Sequence, residues 1–269
     1  QPGLIGISNV GSTVAGSNLT VSGNAVTAKA NVNYASNALN LVASNTQDGS
    51  GAVNNVQTSA VVGGVTATIG DTATPVNVGI APPVPVSGST LTVSGNALNA
   101  QAGGNTAVNA LSATALNSIG SGGVAASSSS ATGTTTGSTQ ATFAVLNYQG
   151  NSSAMTATVQ FASIGLGAST SLVNSTATVQ NNAVLASGYG NTASNSLGLS
   201  ALTGNANAAS SGISNVQYNT GSVTALVSNV SAGIAGSAGV SGGLATVSGN
   251  SIAAQAVGNS AVNRIVALR

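Results

Sequence analysis

Apolar and polar positions alternate with a period of two along much of the chain. In VSGNALNAQAGGNTAVNALSA, which begins at Val93, one phase reads Asn96, Leu98, Ala100, Ala102. Past a Gly-Gly pair it continues as Asn105, Ala107, Asn109, Leu111. Residues two apart share one face of a β-strand, so the pattern predicts strands. Asparagine on the leucine phase is the unusual feature. Three further copies keep the phase: VSGNAVTAKANVNYASNALNL from Val21, VQNNAVLASGYGNTASNSLGL from Val179 and VSGNSIAAQAVGNSAVNRIVA from Val247. The opposite phase drifts among Ala, Thr, Asn, Gln, Lys, Ser and Arg, and it carries the charged Lys29 and Arg264. The constant phase is therefore expected to be buried. Each copy is expected to fold as strand, tight corner, strand. The corner falls at Asn31-Val32, Gly103-Gly104, Tyr189-Gly190 or Val257-Gly258, where glycine would supply a positive φ.

A second motif lies between these copies: VNNVQ from Val53, VLNYQ from Val145 and ISNVQ from Ile213. A Thr-Ala strand follows each one, as VTATI from Val65, MTATV from Met155 and VTALV from Val223. The segment ISNVG from Ile7 reads as a fourth, shortened copy. The interval is 33 residues from Asn24 to Gln57, from Gln149 to Asn182 and from Gln217 to Asn250, and 35 from Asn182 to Gln217. Two longer intervals, 39 and 53 residues, contain a proline-rich insertion at 70–90 and a Ser/Thr/Gly-rich one at 113–139. The expected architecture is a single all-β domain over 1–269. It is a β-solenoid of stacked strand-turn-strand arches, in alternating half-units of about 34 residues. The repeat pairs run approximately over 1–44, 45–112, 140–201 and 210–269.

A solenoid gives the buried asparagines a purpose. A lone buried amide costs about 1–3 kcal/mol, whereas amides stacked at equivalent positions bond up and down a ladder. The expected ladder residues keep one spacing in all four copies: Asn24, Asn33, Asn37; Asn96, Asn105, Asn109; Asn182, Asn191, Asn195; and Asn250, Asn259, Asn263. Gln57, Gln149 and Gln217 of the second motif join them. Asn37, Asn109, Asn195 and Asn263 lie inside strands, in phase with Leu or Ile, which favours a ladder over solvated turns.

Composition narrows the function. Only three basic and two acidic residues are present, with no His and no Cys, and the net charge is +1. Nothing here attracts nucleic acid or an anionic membrane. Gly, Ser, Asn or Thr interrupts every apolar run well before the ~18 residues of a membrane helix, and the few aromatics cannot girdle a membrane barrel. No catalytic, cofactor-binding or metal-ligating residue is assigned. Without His or Cys there is no ordinary base, thiol or zinc site, and Asp48 and Asp71 stand in glycine-flanked turn contexts. Gly239-Val-Ser241-Gly-Gly243 matches a nucleophile motif by chance. The chain is expected not to be an enzyme. Its start at Gln1-Pro2 and its lack of thiols lead to the expectation of a secreted protein whose signal peptide has been removed.

The unit Ser94, Asn96, Gln101, Asn105, Ala107, Asn109, seen again as Ser248, Asn250, Gln255, Asn259, Ala261, Asn263, resembles the Ser/Gln/Asn strand-turn-strand repeats of curli-type bacterial functional amyloids. In composition it is also similar to the holdfast-anchoring surface proteins of stalked bacteria. The period near 34, the alternation of two motifs and the replacement of the outer Gln by Lys29 and Ser187 depart from the curli pattern. The resemblance implies a homopolymer at the bacterial cell surface, with outer-membrane export or anchoring proteins as further partners. A self-assembling subunit of an extracellular filament or surface fibre is the expected function, with the chain's two ends meeting head to tail. The alternative is a monomeric β-helical adhesin or matrix/carbohydrate-binding domain, using its insertions for recognition.

Overall fold

The computed structural model describes residues 3–8, 13–45, 50–81, 85–119, 141–167, 171–204, 209–235 and 239–268. Alternating sequence forms strand, and every paired strand is parallel to its partner in the next coil. The fold is the β-solenoid that the repeats predict. The coil begins on an entry sheet of Gly3–Ser8, Val76–Ala81, Met155–Leu166 and Val223–Ile234, with Val65–Ile69 pairing the first half of Met155–Leu166. It turns through a two-residue corner sheet (Val14–Ala15, Val86–Ser87, Leu172–Val173, Val240–Ser241). A five-residue sheet follows (Asn18–Ser22, Thr90–Ser94, Thr176–Gln180, Leu244–Ser248). The asparagine sheet comes next, with long strands Ala25–Asn45, Ala97–Ser118, Ala183–Ala201 and Ser251–Leu268. The glutamine sheet, Gly51–Ser59, Phe143–Asn151 and Ser211–Asn219, completes the circuit.

Equivalent asparagines in successive coils lie 72, 86 and 68 residues apart. One coil is therefore two half-units, which explains why two motifs alternate. The extra residues leave the ladders in register. Met155 pairs Val65 and Ala162 pairs Val76, so the second coil carries additional residues in the loop between Ile69 and Val76. The insertion expected over 70–90 is therefore smaller than that: Val76–Ala81 and Val86–Ser87 are ladder strands. Of the insertion expected at 113–139, the first residues continue the asparagine strand to Ser118, and 120–140 lie outside the described residues. ISNVG is not a shortened copy of the glutamine motif. Ile7 and Ser8 pair with Ile80 and Ala81 in the entry sheet, and the likeness is local alternation alone.

The corners also differ from expectation. Ala97–Ser118 is one 22-residue strand that continues through Gly103-Gly104, and neither glycine has a positive φ. The register passes from Gly103↔Tyr189 to Asn105↔Asn191, leaving Gly104 unpaired in a bend. Glycine is needed at 104 for proximity: a Cβ there would sit 2.2 Å from the Gly190 carbonyl oxygen. The strand bends because its first half packs on the entry sheet and its second half on the glutamine sheet. One set of left-handed corners lies on either side of the five-residue sheet. Gly16, Gly88, Asn174 and Gly242 have φ of 61, 58, 50 and 64°, and Gly23, Gly95, Asn181 and Gly249 have φ of 68, 65, 55 and 62°. After the first of these corners a serine locks adjacent coils together. Ser89 Oγ accepts from the Ser17 amide (3.1 Å), and Ser175 Oγ accepts from the Ser89 amide (3.2 Å).

Two apolar cores result. The larger gathers Leu98, Ala100, Ala102, Ala67, Ile69, Met155, Ala157 and Val159 between the asparagine and entry sheets. The smaller gathers Leu111, Ala113, Leu197, Leu199, Val53, Phe143 and Val145 where the asparagine and glutamine sheets meet. Small side chains let these thin layers approach closely.

Candidate functional site: a buried amide layer with two open ends

Between the two cores lies a layer of amides. Asn33, Asn105, Asn191 and Asn259 form one axial column. Each Nδ2 donates to the next Oδ1, at 2.7, 2.8 and 2.7 Å. Asn37, Asn109, Asn195 and Asn263 form a second, at 2.8, 2.9 and 2.8 Å. Asn24, Asn96, Asn182 and Asn250 form a third at the corner that opens the asparagine strand, at 2.9, 3.0 and 2.9 Å. There the Oδ1 atoms of Asn96, Asn182 and Asn250 each also accept the backbone N–H of the preceding coil's asparagine. Gln57, Gln149 and Gln217 run the other way. Gln217 Nε2 donates to Gln149 Oε1 (2.7 Å) and Gln149 Nε2 to Gln57 Oε1 (2.8 Å).

Sequence reasoning missed two columns. Asn55, Asn147 and Asn215 stack at 2.7 and 2.7 Å. Ser59 Oγ donates to Asn151 Oδ1, and Asn151 Nδ2 donates to Asn219 Oδ1 at 2.6 Å. The signal was present as the N-x-Q-x-N/S of the second motif, but its meaning depends on which strand lies opposite. An amide offers two donor hydrogens, and here one points along the axis while the other crosses the layer. Asn37, Asn109 and Asn195 donate across to Asn55, Asn147 and Asn215 (3.2, 3.2 and 3.3 Å). Asn33, Asn105 and Asn191 donate to the carbonyls of Thr58, Gly150 and Tyr218 (2.8, 2.9 and 3.0 Å). In return Gln57, Gln149 and Gln217 donate to the carbonyls of Thr106, Thr192 and Ser260 (3.1, 2.9 and 3.0 Å). Asn105, Asn109 and Gln149 are fully buried. Among the described residues, Asn99 Oδ1 is the one buried side-chain polar atom without a partner, and it lies outside this layer. A saturated network of this kind fixes register, since a slip would leave several buried amides unpaired, each costing about 1–3 kcal/mol.

The columns end at the first and last coils, and the two ends are complementary. At the first coil, no donor of the described residues reaches the Oδ1 of Asn24, Asn33 or Asn37. At the last coil, Asn263 Nδ2 has no acceptor among the described residues. Asn250 Nδ2 keeps only a bond to the Val179 carbonyl (3.1 Å), and Asn259 Nδ2 only a long one to that of Gln217 (3.4 Å). Inward-phase apolar side chains of the last coil are also uncovered: Val240, Val247, Ile252 and Ile265 are 45–52% exposed, whereas Leu197, the partner of Ile265, is fully buried.

The remaining sequence candidates are scattered. Asp71 holds its loop by accepting from the amides of Ala73 and Thr74 (2.7 and 2.6 Å). The hydrogen bonds from Thr74, above all, hold its carboxyl below the usual range. Asp48 lies outside the described residues. Ser241 of the chance nucleophile motif is a corner-sheet residue, and among the described residues no group of acidic, His or Cys side chains could hold a metal. Neither a family model, nor a curated protein, nor a solved structure matches this chain.

Proposed function

We propose that the protein is the structural subunit of an extracellular bacterial filament or surface fibre, built by axial stacking of identical solenoids. The observation that carries this reading is the match between its ends. The last coil offers amide donors at Asn250, Asn259 and Asn263, and the first coil offers acceptors at Asn24, Asn33 and Asn37. The two sets sit in the same motif with the same spacing. Stacked in register, Ile252 would meet Val26 and Ile265 would meet Leu39, repeating the Val184–Leu98 and Leu197–Leu111 pairings of the interior. Open parallel strand edges at both ends template the same pairing in the backbone.

Filaments are expected to show a subunit rise of roughly 19 Å, four coils at ~4.8 Å each. Negative-stain microscopy and fibre diffraction of the purified protein measure this. Ile252→Lys would place a charge on the uncovered face, where the wild-type side chain is 48% exposed, and should give folded monomers. A wild-type protein that stays monodisperse at high concentration, with native circular dichroism, overturns the reading.

A further inference from the structure

The outer face of the five-residue sheet carries a lattice that appears only when the coils stack. Thr20, Thr92, Thr178 and Thr246 are register partners in the four coils, although 72, 86 and 68 residues separate successive members in the chain. The adjoining Leu91, Val93, Ala177 and Val179 are buried, so the threonines point outward. Asn18, Thr90, Thr176 and Leu244 form the column on one side. Ser22, Ser94, Gln180 and Ser248 form the column on the other. Thr20 is exposed, and Thr92, Thr178 and Thr246 are half-exposed. Among the described residues no group bonds to the hydroxyls of this threonine column, whereas the Thr192 hydroxyl elsewhere donates to Thr106 (3.3 Å). Strand propensity alone does not ask for such constancy. Outward columns of the asparagine sheet drift from coil to coil, one reading Thr27, Asn99, Leu185, Ala253 and the next Lys29, Gln101, Ser187, Gln255. Threonines also stack on the entry sheet as Thr66, Thr156 and Thr224, but Thr158 in the adjacent column is buried, so that face is not open.

We propose that this face binds ice. Neighbouring coils set the hydroxyls ~4.8 Å apart along the axis, and alternate residues set them about 6.6 Å apart along the strand. Hexagonal ice repeats its oxygen lattice at a closely similar interval along its a axis and at a somewhat longer one along its c axis. Threonine is stiff at χ1, so each methyl and hydroxyl holds its place in the array. The left-handed corners at both ends of every five-residue strand keep the ladder straight, and its register does not shift across the four coils. Other ligand classes fit less well. Small molecules are enclosed in concave sites, protein hot spots centre on Trp, Tyr and Arg, and nucleic acids or anionic lipids are drawn by basic charge. The four strands contain neither an aromatic nor a charged residue. What matches a flat, uncharged, two-dimensional array of hydroxyls and methyls is an ordered solid of the same repeat. The array lies wholly within the described coils of one chain, so it stands apart from the stacking reading.

The test uses the Ile252→Lys protein, whose substitution lies in the asparagine sheet and away from this face, so that assembly does not enter the measurement. Single ice crystals are grown in its solution under a microscope at controlled temperature. Facetted crystals and a gap between melting and growth temperatures are expected. Thr92→Tyr puts a bulky residue of good strand propensity in the middle of the column, and Thr178→Lys interrupts the same column with a charge. Each should abolish facetting and close the gap while leaving circular dichroism unchanged. Thr27→Tyr, an exposed position on the outer face of the asparagine sheet, should preserve both. Round crystals in the presence of the folded parent protein overturn the proposal, and so does full activity of either folded column variant. Sedimentation with crystalline cellulose or chitin in the absence of any effect on ice would assign the face to an ordered polysaccharide and overturn the ice reading. If the stacking reading alone is wrong, wild type stays monomeric and its ice crystals are still facetted.

Discussion

Replacing Asn109 by aspartate exchanges an NH2 for an oxygen and leaves the shape unchanged. Asn109 is fully buried, accepts from Asn37, and donates to Asn195 and Asn147. In Asn109→Asp, an ionised carboxylate would turn both donations into contacts between oxygens and place a charge in a dry layer. Burial raises such a carboxyl by up to ~3–5 units, and each unit is worth about 1.4 kcal/mol, so the penalty at neutral pH is about 4–7 kcal/mol. The sign follows from linkage. The folded pKa lies above the unfolded value of about 3.9, so both states are protonated below it and the penalty is absent there. It grows as the pH rises and saturates above the folded pKa. The protonated carboxyl can still accept from Asn37 and donate once, so Asn109→Asp should approach wild-type stability near pH 3. Urea unfolding followed by circular dichroism at pH 3 and pH 7 measures the difference, with the exposed Asn40→Asp as control. Equal stability of Asn109→Asp and wild type at pH 7 would show that the layer is wet, and would refute the account of it given above.

Gly165→Ala would place a Cβ 1.8 Å from the Gly233 carbonyl oxygen, so it should cost at least about 1–3 kcal/mol of stability, whereas Gly198→Ala, with nothing within 4 Å, should stay within ~0.5 kcal/mol; thermal melts of the pair check this. Asp71→Ala should lower the melting temperature slightly at neutral pH. Because hydrogen bonding lowers the folded pKa of Asp71, its contribution is complete above the unfolded value and disappears as the pH falls through the folded one. The melting curves of variant and wild type should therefore converge in acid. Assembly driven by amides and apolar contacts on a chain of net charge +1 should proceed at similar rates in ~0.05 and ~1 M salt, as light scattering would show; a steep salt dependence would point to charge pairing instead.

The solenoid and its asparagine columns are readable because four copies without gaps repeat one side-chain phase, and stacking in register converts identical positions directly into neighbours. What lies across the coil is not readable. Asn55, Asn147 and Asn215 pair laterally with the asparagine sheet only because the long strand bends at Gly104, and no periodicity encodes which strand faces which. The bend itself reads in sequence as a left-handed turn, since glycine chosen for close approach to Gly190 looks the same there as glycine chosen for positive φ. Similarly, ISNVG shares the alternation of the glutamine motif, yet the register of Ile7 with Ile80 places it in another sheet. The proline-rich stretch reads as an interruption, although Val76–Ala81 keeps its place and the surplus is accommodated in the preceding loop.

All five ladders direct their backbone hydrogen bonds along one axis, and the amide columns lie parallel to them. In a fibre, tension along that axis would fall on every bond of an interval together, while peeling from the side would meet them one after another. Such a stack would therefore resist an even axial pull better than a sideways peel.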